Sequence, residues 1–173
     1  KTFLAVLCIQ TVEIGKFDLD EDINKYLNLI NIRVVNPFFP NDSITGRHLL
    51  THVSGLRDEE RALETGSRWR VDGEDYPLSL QEYVTSRLCE GGESYQSEIW
   101  TDTASSGSCD YHSSNAGYTL LGLVLEIATN MSLSALAQQN IFSPLRMTHT
   151  SYMLSDLQSR DDVHLALPTR LSG

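Results

Sequence analysis

Lys1 has both the type and the position to do chemistry, because it stands at the head of a long apolar segment. Nearly every position from Phe3 to Val12 is apolar, which predicts a central helix packed on several sides. A lysine at the start of such a helix is costly unless it has a partner, and burial favours its neutral amine. A neutral amine accepts protons, so Lys1 is a candidate general base.

A second group of candidate residues lies in the segment YHSSNAGYTLLG, which begins at Tyr111. Hydroxyls and an amide crowd the entrance of another predicted buried helix there, from Tyr111 through Ser113 to Asn115. Serine and asparagine are also the usual caps of helix N-termini. The residues alone leave both interpretations open, a cluster of capping groups or a cluster that does chemistry.

Several other chemistries are not supported by the sequence. It contains no Gly-x-Ser-x-Gly nucleophile elbow and no glycine-rich phosphate loop. His48 and His52 have the spacing of a zinc pair, but no glutamate stands between them to activate a water. The acidic stretch that starts at Asp18 imitates a calcium loop, yet it has Ile23 at the glycine position and Leu29 at the glutamate position. No metal site is predicted.

Size and charge narrow the class of protein. The 173 residues are enough for one domain with a real core. The net charge of −10 argues against nucleic acid and anionic membranes as partners, since both bind basic faces. No apolar run approaches the roughly 20 residues that span a bilayer. We expect no membrane span in this segment.

Helix signals place the candidate residues on a mainly helical scaffold. Thr45 is a candidate N-cap for a helix that Gly55 stops, and Ser79 with Glu82 forms a capping box for the next helix. The predicted helix after Asn115 is strongly apolar, and a further one begins at a cap formed by Ser132, with Pro144 as its stop. The stretch from 57 to 77 is predicted to be a loop with at most one short helical piece.

The three cysteines leave the redox environment open. Cys8 is predicted to be a buried thiol, whereas Cys89 and Cys109 either form a disulfide or stay reduced. Two Asn-x-Ser sequons, at Asn41 and Asn130, fit a secreted protein. Localisation is undecided, with a secreted or extracytoplasmic place slightly favoured.

Three stretches of the sequence resemble the serine β-lactamase and penicillin-binding protein family, and within it the class C-like, β-lactamase-related hydrolases. KTFLAVLCIQTVEIGKFDLDEDINKYL is similar to the family segment that opens Ser-x-x-Lys-Thr-Phe and continues into a Gly-Lys-Leu-Asp-Leu-Asp-Asp turn. ITGRHLLTHVSGL resembles its Ile-Thr-x-Arg-x-Leu-Leu-Thr-His-Thr-Ser-Gly-Leu stretch. NAGYTLLGLVLEIATNMSLSALAQQNIFSPLRMTHTSY is similar to its Asn-x-Gly-Tyr-x-Leu-Leu-Gly segment and to the Ile-Phe-x-Pro-Leu-x-Met-x-x-Thr segment after it. The matches are in order and cover most of the chain.

The resemblance implies a role for each candidate residue. Lys1 matches the lysine of Ser-x-x-Lys, so the nucleophilic serine is expected three positions before it. The family's Tyr-x-Asn motif places Asn115 as a substrate contact. Ser113 then stands where its tyrosine is expected; alternatively a local insertion lets Tyr111 reach the site instead. The third family motif, Lys-Thr-Gly or His-x-Gly, has no counterpart before Gly173.

The resemblance also implies a fold and a reaction. We expect an α/β (α+β) β-lactamase/transpeptidase-like fold, of which residues 1–173 form a single incomplete domain that is mainly the helical lobe. The expected reaction is acyl transfer from a small-molecule or peptide amide or ester through an acyl-serine, without metal or organic cofactor. The chain by itself is expected to be inactive. The alternative is a catalytically dead binding or scaffolding module, and the oligomeric state is left open.

Overall fold

The computed structural model describes residues 1–58 and 75–158, and these residues are almost entirely helical. Two isolated β-bridges, Asp22 with Thr45 and Leu56 with Trp100, are the extended pairings among them. The helical elements are α1 (Thr2–Glu13), α2 (Asn24–Leu27) with a 3₁₀ turn (Asn28–Ile30), α3 (Gly46–Leu50), α4 (Leu80–Arg87), a 3₁₀ turn (Ser97–Ile99), α5 (Asn115–Thr129), α6 (Leu133–Ala137) with a π-helical turn (Gln138–Phe142), and α7 (Leu154–Gln158). Most of the loop predicted between 57 and 77 lies outside the described residues.

Helix α5 is the centre of the fold. It contacts α1, α2, α3, α4 and α6, and its apolar side chains are almost fully buried. Those that are at most 3% exposed are Leu120, Leu121, Leu123, Val124 and Leu125. The helix ends at Asn130, whose φ of 56° is left-handed, a conformation that asparagine tolerates better than most residues. The prediction of a buried helix after Asn115 is confirmed.

Helix α1 packs along α5 and α6, but only one of its faces is covered. Leu7 and Cys8 are fully buried, and burial raises the pKa of the Cys8 thiol to about 12. On the opposite side, Val6 is 43% and Ile9 is 45% exposed. The sequence predicted burial on several sides, and in this respect the described structure differs, because none of its elements covers Val6 and Ile9.

The short helices begin where the sequence predicted. The Ser79 side chain accepts from the Glu82 amide and the Glu82 carboxylate accepts from the Ser79 amide, which is the predicted capping box. Ser132 caps α6 with a single hydrogen bond, which its side chain accepts from the Ala135 amide. Thr45 caps α3, although α3 ends at Leu50, five residues before Gly55. These capping groups fix where each helix starts.

The structure bears on two further expectations, the state of the three cysteines and the length of the apolar helices. Cys8, Cys89 and Cys109 are all free thiols, and the Cys109 Sγ donates to the Val53 carbonyl at 2.8 Å. No single helix in the described ranges is long and apolar enough to cross a membrane. Helix α5 and the segment Leu133–Phe142 reach that length only as a pair bent by 78°.

Candidate active site

Lys1 and Ser113 meet at one end of the helical core. The Lys1 Nζ donates a hydrogen bond to the Ser113 Oγ at 3.1 Å, between residues 112 positions apart. The same ammonium lies 5.2 Å from the centroid of the Tyr118 ring, a distance at which a cation is attracted to an aromatic face. Both Lys1 and Ser113 are exposed to solvent, so the burial of Lys1 that the sequence analysis expected is not found in the described structure. A hydroxyl and an amine that are hydrogen-bonded and solvent-accessible can exchange a proton.

The capping of α5 explains why Ser113 rather than its neighbour faces Lys1. Ser114 is the N-cap of α5, and its buried Oγ accepts from the Gly117 amide at 3.0 Å. Ser113 precedes the cap, so its side chain takes no part in the capping hydrogen bond. The capping interpretation is therefore confirmed for Ser114, whereas Ser113 contacts Lys1.

Tyr111 occupies a different place from Ser113. Its ring packs edge-on against the His52 ring, with centroids 5.4 Å apart and planes at 82°. The residue is 66% exposed. Of the two alternatives for the second motif, the structure brings Ser113 to Lys1 and leaves Tyr111 packed on His52.

Asn115 lies at the start of α5 and is held by Asp58, which comes from the loop after α3. The Asn115 amide donates to both carboxylate oxygens of Asp58, at 2.7 and 2.9 Å, and its Nδ2 donates to Oδ2 at 2.7 Å. The Ala116 amide and the Ser114 hydroxyl donate to Oδ1 at 3.2 and 3.3 Å. Asp58 thus fixes the carboxamide of Asn115 and satisfies amides at the positive end of α5.

Asp58 was not predicted from the sequence, and His52 was considered there only as half of a possible zinc pair. His52 accepts from the Ser114 amide at Nδ1 and stacks on Tyr118. His52 lies in the stretch ITGRHLLTHVSGL that resembles the family, whereas Asp58 lies two residues after the end of that stretch. Contacts that reach across 57 or 62 positions leave no periodic pattern in the sequence.

His48 on α3 and His52 just after it each accept a hydrogen bond from a backbone amide. His48 Nδ1 accepts from the Thr45 amide at 3.3 Å, which completes the cap of α3. Burial lowers the pKa of both imidazoles, and for His52 the nearby Lys1 ammonium lowers it further while Asp58 opposes the shift. Within the described ranges no three His, Cys, Asp or Glu side chains are grouped so as to hold a metal ion. The lowered pKa favours the neutral form of both imidazoles.

We expect the stability of the protein to fall in mild acid because of these two residues. Unfolded histidine binds protons with an ordinary pKa of 6.5, whereas folded His48 and His52 have lowered values. Their contribution is complete above pH 6.5 and is lost as the pH falls towards the folded pKa. Urea unfolding midpoints measured between about pH 7.5 and about pH 5.5 should decrease steadily.

One carboxylate acts against this trend: burial raises the pKa of Glu126 despite the hydrogen bond from the Leu133 amide, so its protonation in acid offsets part of the loss. The Arg47 guanidinium lowers the pKa of Asp20, and the Ser79 amide lowers that of Glu82, so both groups stay charged in that range. A variant His52→Asn has no imidazole at this position and should show a shallower dependence than the parent protein. A midpoint that does not change with pH would contradict the assignment of neutral histidines.

Comparison with known proteins identifies the family. The family model described as Beta-lactamase matches residues 1–171. Penicillin-binding protein 4* of Bacillus subtilis (strain 168) is 28% identical over 153 residues, which are 87% of this chain and 28% of that protein. ML-236A carboxylate methylbutanoyltransferase mlcH of Penicillium citrinum is 27% identical over 176 residues, which are 94% of this chain and 37% of that protein.

A solved structure shows the same relationship in three dimensions. The octameric penicillin-binding protein homologue from Pyrococcus abyssi matches with a TM-score of 0.70 at 25% identity, over 93% of this chain and 33% of that one. The chain therefore spans only 28% to 37% of the length of these three proteins. Its helices have the β-lactamase/transpeptidase-like fold that the sequence resemblance implied. With the match over residues 1–171, the chain belongs to the beta-lactamase family.

Proposed function

We propose that this chain carries the general base and the proton relay of a serine hydrolase that transfers acyl groups from amides or esters. The observation that carries the proposal is the 3.1 Å hydrogen bond between the Lys1 Nζ and the Ser113 Oγ. It joins the lysine at the head of α1 to the hydroxyl just before the cap of α5. A paired amine and hydroxyl at such a place can pass a proton in either direction.

The nucleophile in this proposal is a serine three positions before Lys1. Residues three apart on a helix share a face, so its hydroxyl would stand beside the Lys1 amine. The Lys1 amine takes the serine proton, and the alkoxide oxygen forms a bond to the substrate carbonyl carbon. The tetrahedral intermediate collapses, the bond to the leaving group breaks, and Ser113 passes the proton from Lys1 to the departing nitrogen or oxygen. Water or another acceptor then attacks the acyl-serine.

Asn115 is proposed to bind the substrate. Its Nδ2 is held by Asp58 at 2.7 Å, so the carboxamide has a fixed orientation in which Oδ1 is the atom offered to a substrate N–H or O–H donor. A fixed amide gives specificity because the side chain loses little freedom when the substrate binds. Alanine at this position would remove the contact and also the bond to Asp58.

The substrate class is proposed to be a small molecule or peptide with an amide or ester bond. One relative is named for transfer of a methylbutanoyl group and another as a penicillin-binding protein. A methylbutanoyl group is an acyl group and penicillin contains an amide bond, so both names are compatible with acyl transfer from an amide or ester. The open position of Lys1 and Ser113 at the surface gives access to such a group.

Acyl-enzyme trapping on the full-length protein tests the proposal. The protein is treated with a fluorescent penicillin in one arm and a nitrophenyl ester in another, and each sample is then analysed by intact mass measurement and peptide mapping. The mass should rise by one acyl group, located on the serine three positions before Lys1, and alanine at that serine should abolish the increase. A residue without a hydroxyl at that position, or a label elsewhere, would instead support a binding module without catalysis.

A further inference from the structure

His52 holds the backbone on both sides of Ser113. Its carbonyl accepts from the His112 amide at 3.0 Å, and its Nδ1 accepts from the Ser114 amide at 3.1 Å. The two residues that flank Ser113 are thus bonded to one residue of the loop after α3. Little freedom is left for the backbone of Ser113 while both bonds are in place.

The ring of His52 is itself held by aromatic contacts. It stacks on Tyr118 with centroids 4.9 Å apart and planes at 30°, and Tyr111 packs against it edge-on. The Tyr118 hydroxyl donates to the Leu50 carbonyl at 3.2 Å, which ties this ring to the end of α3. Because the Lys1 Nζ lies over the same Tyr118 ring, the histidine, the tyrosine and the lysine form one continuous cluster.

The backbone of His52 is also unusual. Its φ is 61°, in the left-handed region that non-glycine residues adopt rarely. This conformation, directly after α3, accompanies the bonds that the carbonyl and the ring make to the same short segment. Strained conformations of this kind persist where surrounding contacts require them, and they concentrate at functional sites.

We propose that His52 is a positioning residue that holds the Ser113 hydroxyl against Lys1, with its proton on Nε2 and its Nδ1 free to accept from Ser114. The proposal rests on the proposed function of Lys1 and Ser113 in acyl transfer. Protonation of Nδ1 turns it into a donor, so the bond to the Ser114 amide is lost and Ser113 is released from one side. The position of the Ser113 hydroxyl thus depends on the protonation state of the His52 imidazole.

The charges around His52 favour the neutral ring. Burial disfavours protonation, the positive charge of Lys1 acts in the same direction, and Asp58 acts against them. Among the described residues, the neighbouring elements also contain charged or titratable side chains: Arg47 and His48 on α3, and Asp110 and His112 on the segment bonded to His52. The balance lowers the pKa of His52, which keeps the acceptor available at neutral pH.

Two substitutions distinguish the role of the Nδ1 acceptor of His52 from the role of its aromatic ring. His52→Asn keeps an acceptor, because Asn Oδ1 and His Nδ1 are equally far along the side chain, and asparagine tolerates a positive φ. His52→Phe keeps an aromatic ring for Tyr118 and Tyr111 but has no acceptor. If His52 only packs against the two tyrosines, His52→Phe should stay closer to the parent protein than His52→Asn. If His52 positions Ser113, His52→Asn should stay closer.

The experiment uses the full-length protein in two measurements. Hydrogen exchange of peptides that cover residues 111–116 should be about fivefold faster in His52→Phe, from the loss of one hydrogen bond, and unchanged in His52→Asn. Acylation kinetics should show kcat reduced about 10²-fold in His52→Phe and close to the parent value in His52→Asn. In the parent protein, protonation of His52 should lower kcat in acid. This fall of kcat should be absent from the pH profile of His52→Asn.

The proposal is overturned if His52→Phe retains parental exchange and kcat, or if both variants lose kcat equally while remaining folded. A parent protein that is not acylated at all refutes the proposed function alone. In that case the exchange measurement still decides whether His52 anchors the segment around Ser113.

Discussion

Alanine in place of Lys1 is expected to slow acyl-enzyme formation by about 10²- to 10⁴-fold, the usual contribution of a general base. Lys1→Arg is expected to be equally slow, because a guanidinium stays protonated and cannot accept the serine proton. The measurement is the rate of acylation of the full-length protein by a chromogenic cephalosporin and by a nitrophenyl ester. An equal loss of acylation rate in both variants would show that acylation requires a proton acceptor at position 1 and not only a positive charge.

A matched lysine controls for the change of charge. Lys16 is exposed in the turn after α1, so Lys16→Ala removes one positive charge from the same part of the chain without touching Ser113. Its acylation rate should equal that of the parent protein. If Lys1→Arg retained the parental rate, Lys1 would act as a fixed charge, and the proposed proton transfer would be wrong.

Leu121→Ala should have the largest effect on stability, a loss of about 2–5 kcal/mol in the free energy of unfolding. Leu121 is 0% exposed and lies in the middle of α5, the helix that contacts five others. Removing its terminal carbons loses their transfer free energy and leaves a cavity that the surrounding helices cannot fill completely. Urea unfolding monitored by tryptophan fluorescence measures the change.

The same substitution at Leu29 is the control. Leu29 is 73% exposed, so Leu29→Ala removes the same atoms without making a cavity and should change the free energy of unfolding by less than about 0.5 kcal/mol. A similar loss at both positions would show that α5 is not the centre of the core.

The helix starts could be predicted because they depend on neighbours in sequence. Ser79 and Glu82 are three residues apart, and so are Ser132 and the amide it caps. The apolar run of α5 likewise predicts burial, since side chains at helical spacing share a face. At α1 the same argument was wrong for Val6 and Ile9, because an apolar residue fits a core without showing that anything covers it.

The candidate site could be predicted only in part, for a related reason. Lys1, Ser113 and Asn115 were singled out by their types and their place at helix starts, and the family resemblance left Ser113 and Tyr111 as alternatives for the second motif. The structure separates them through the cap: Ser114 is committed to α5, which leaves the residue before it to face Lys1. The bonds of His52 and Asp58 depend on how the loop after α3 folds back, and local pattern does not encode that.

The long sequence separation of the contacts around Ser113 has a consequence for folding. The bond to Lys1 spans 112 positions, and those from His52 and Asp58 span 62 and 57. Loop-closure entropy opposes each of them until the chain is compact, whereas the helices gain from contacts within a turn. The contact between Lys1 and Ser113 is therefore expected to form late, after most of the helical content has formed. During unfolding it should be lost early, so inactivation should precede the loss of helical circular dichroism.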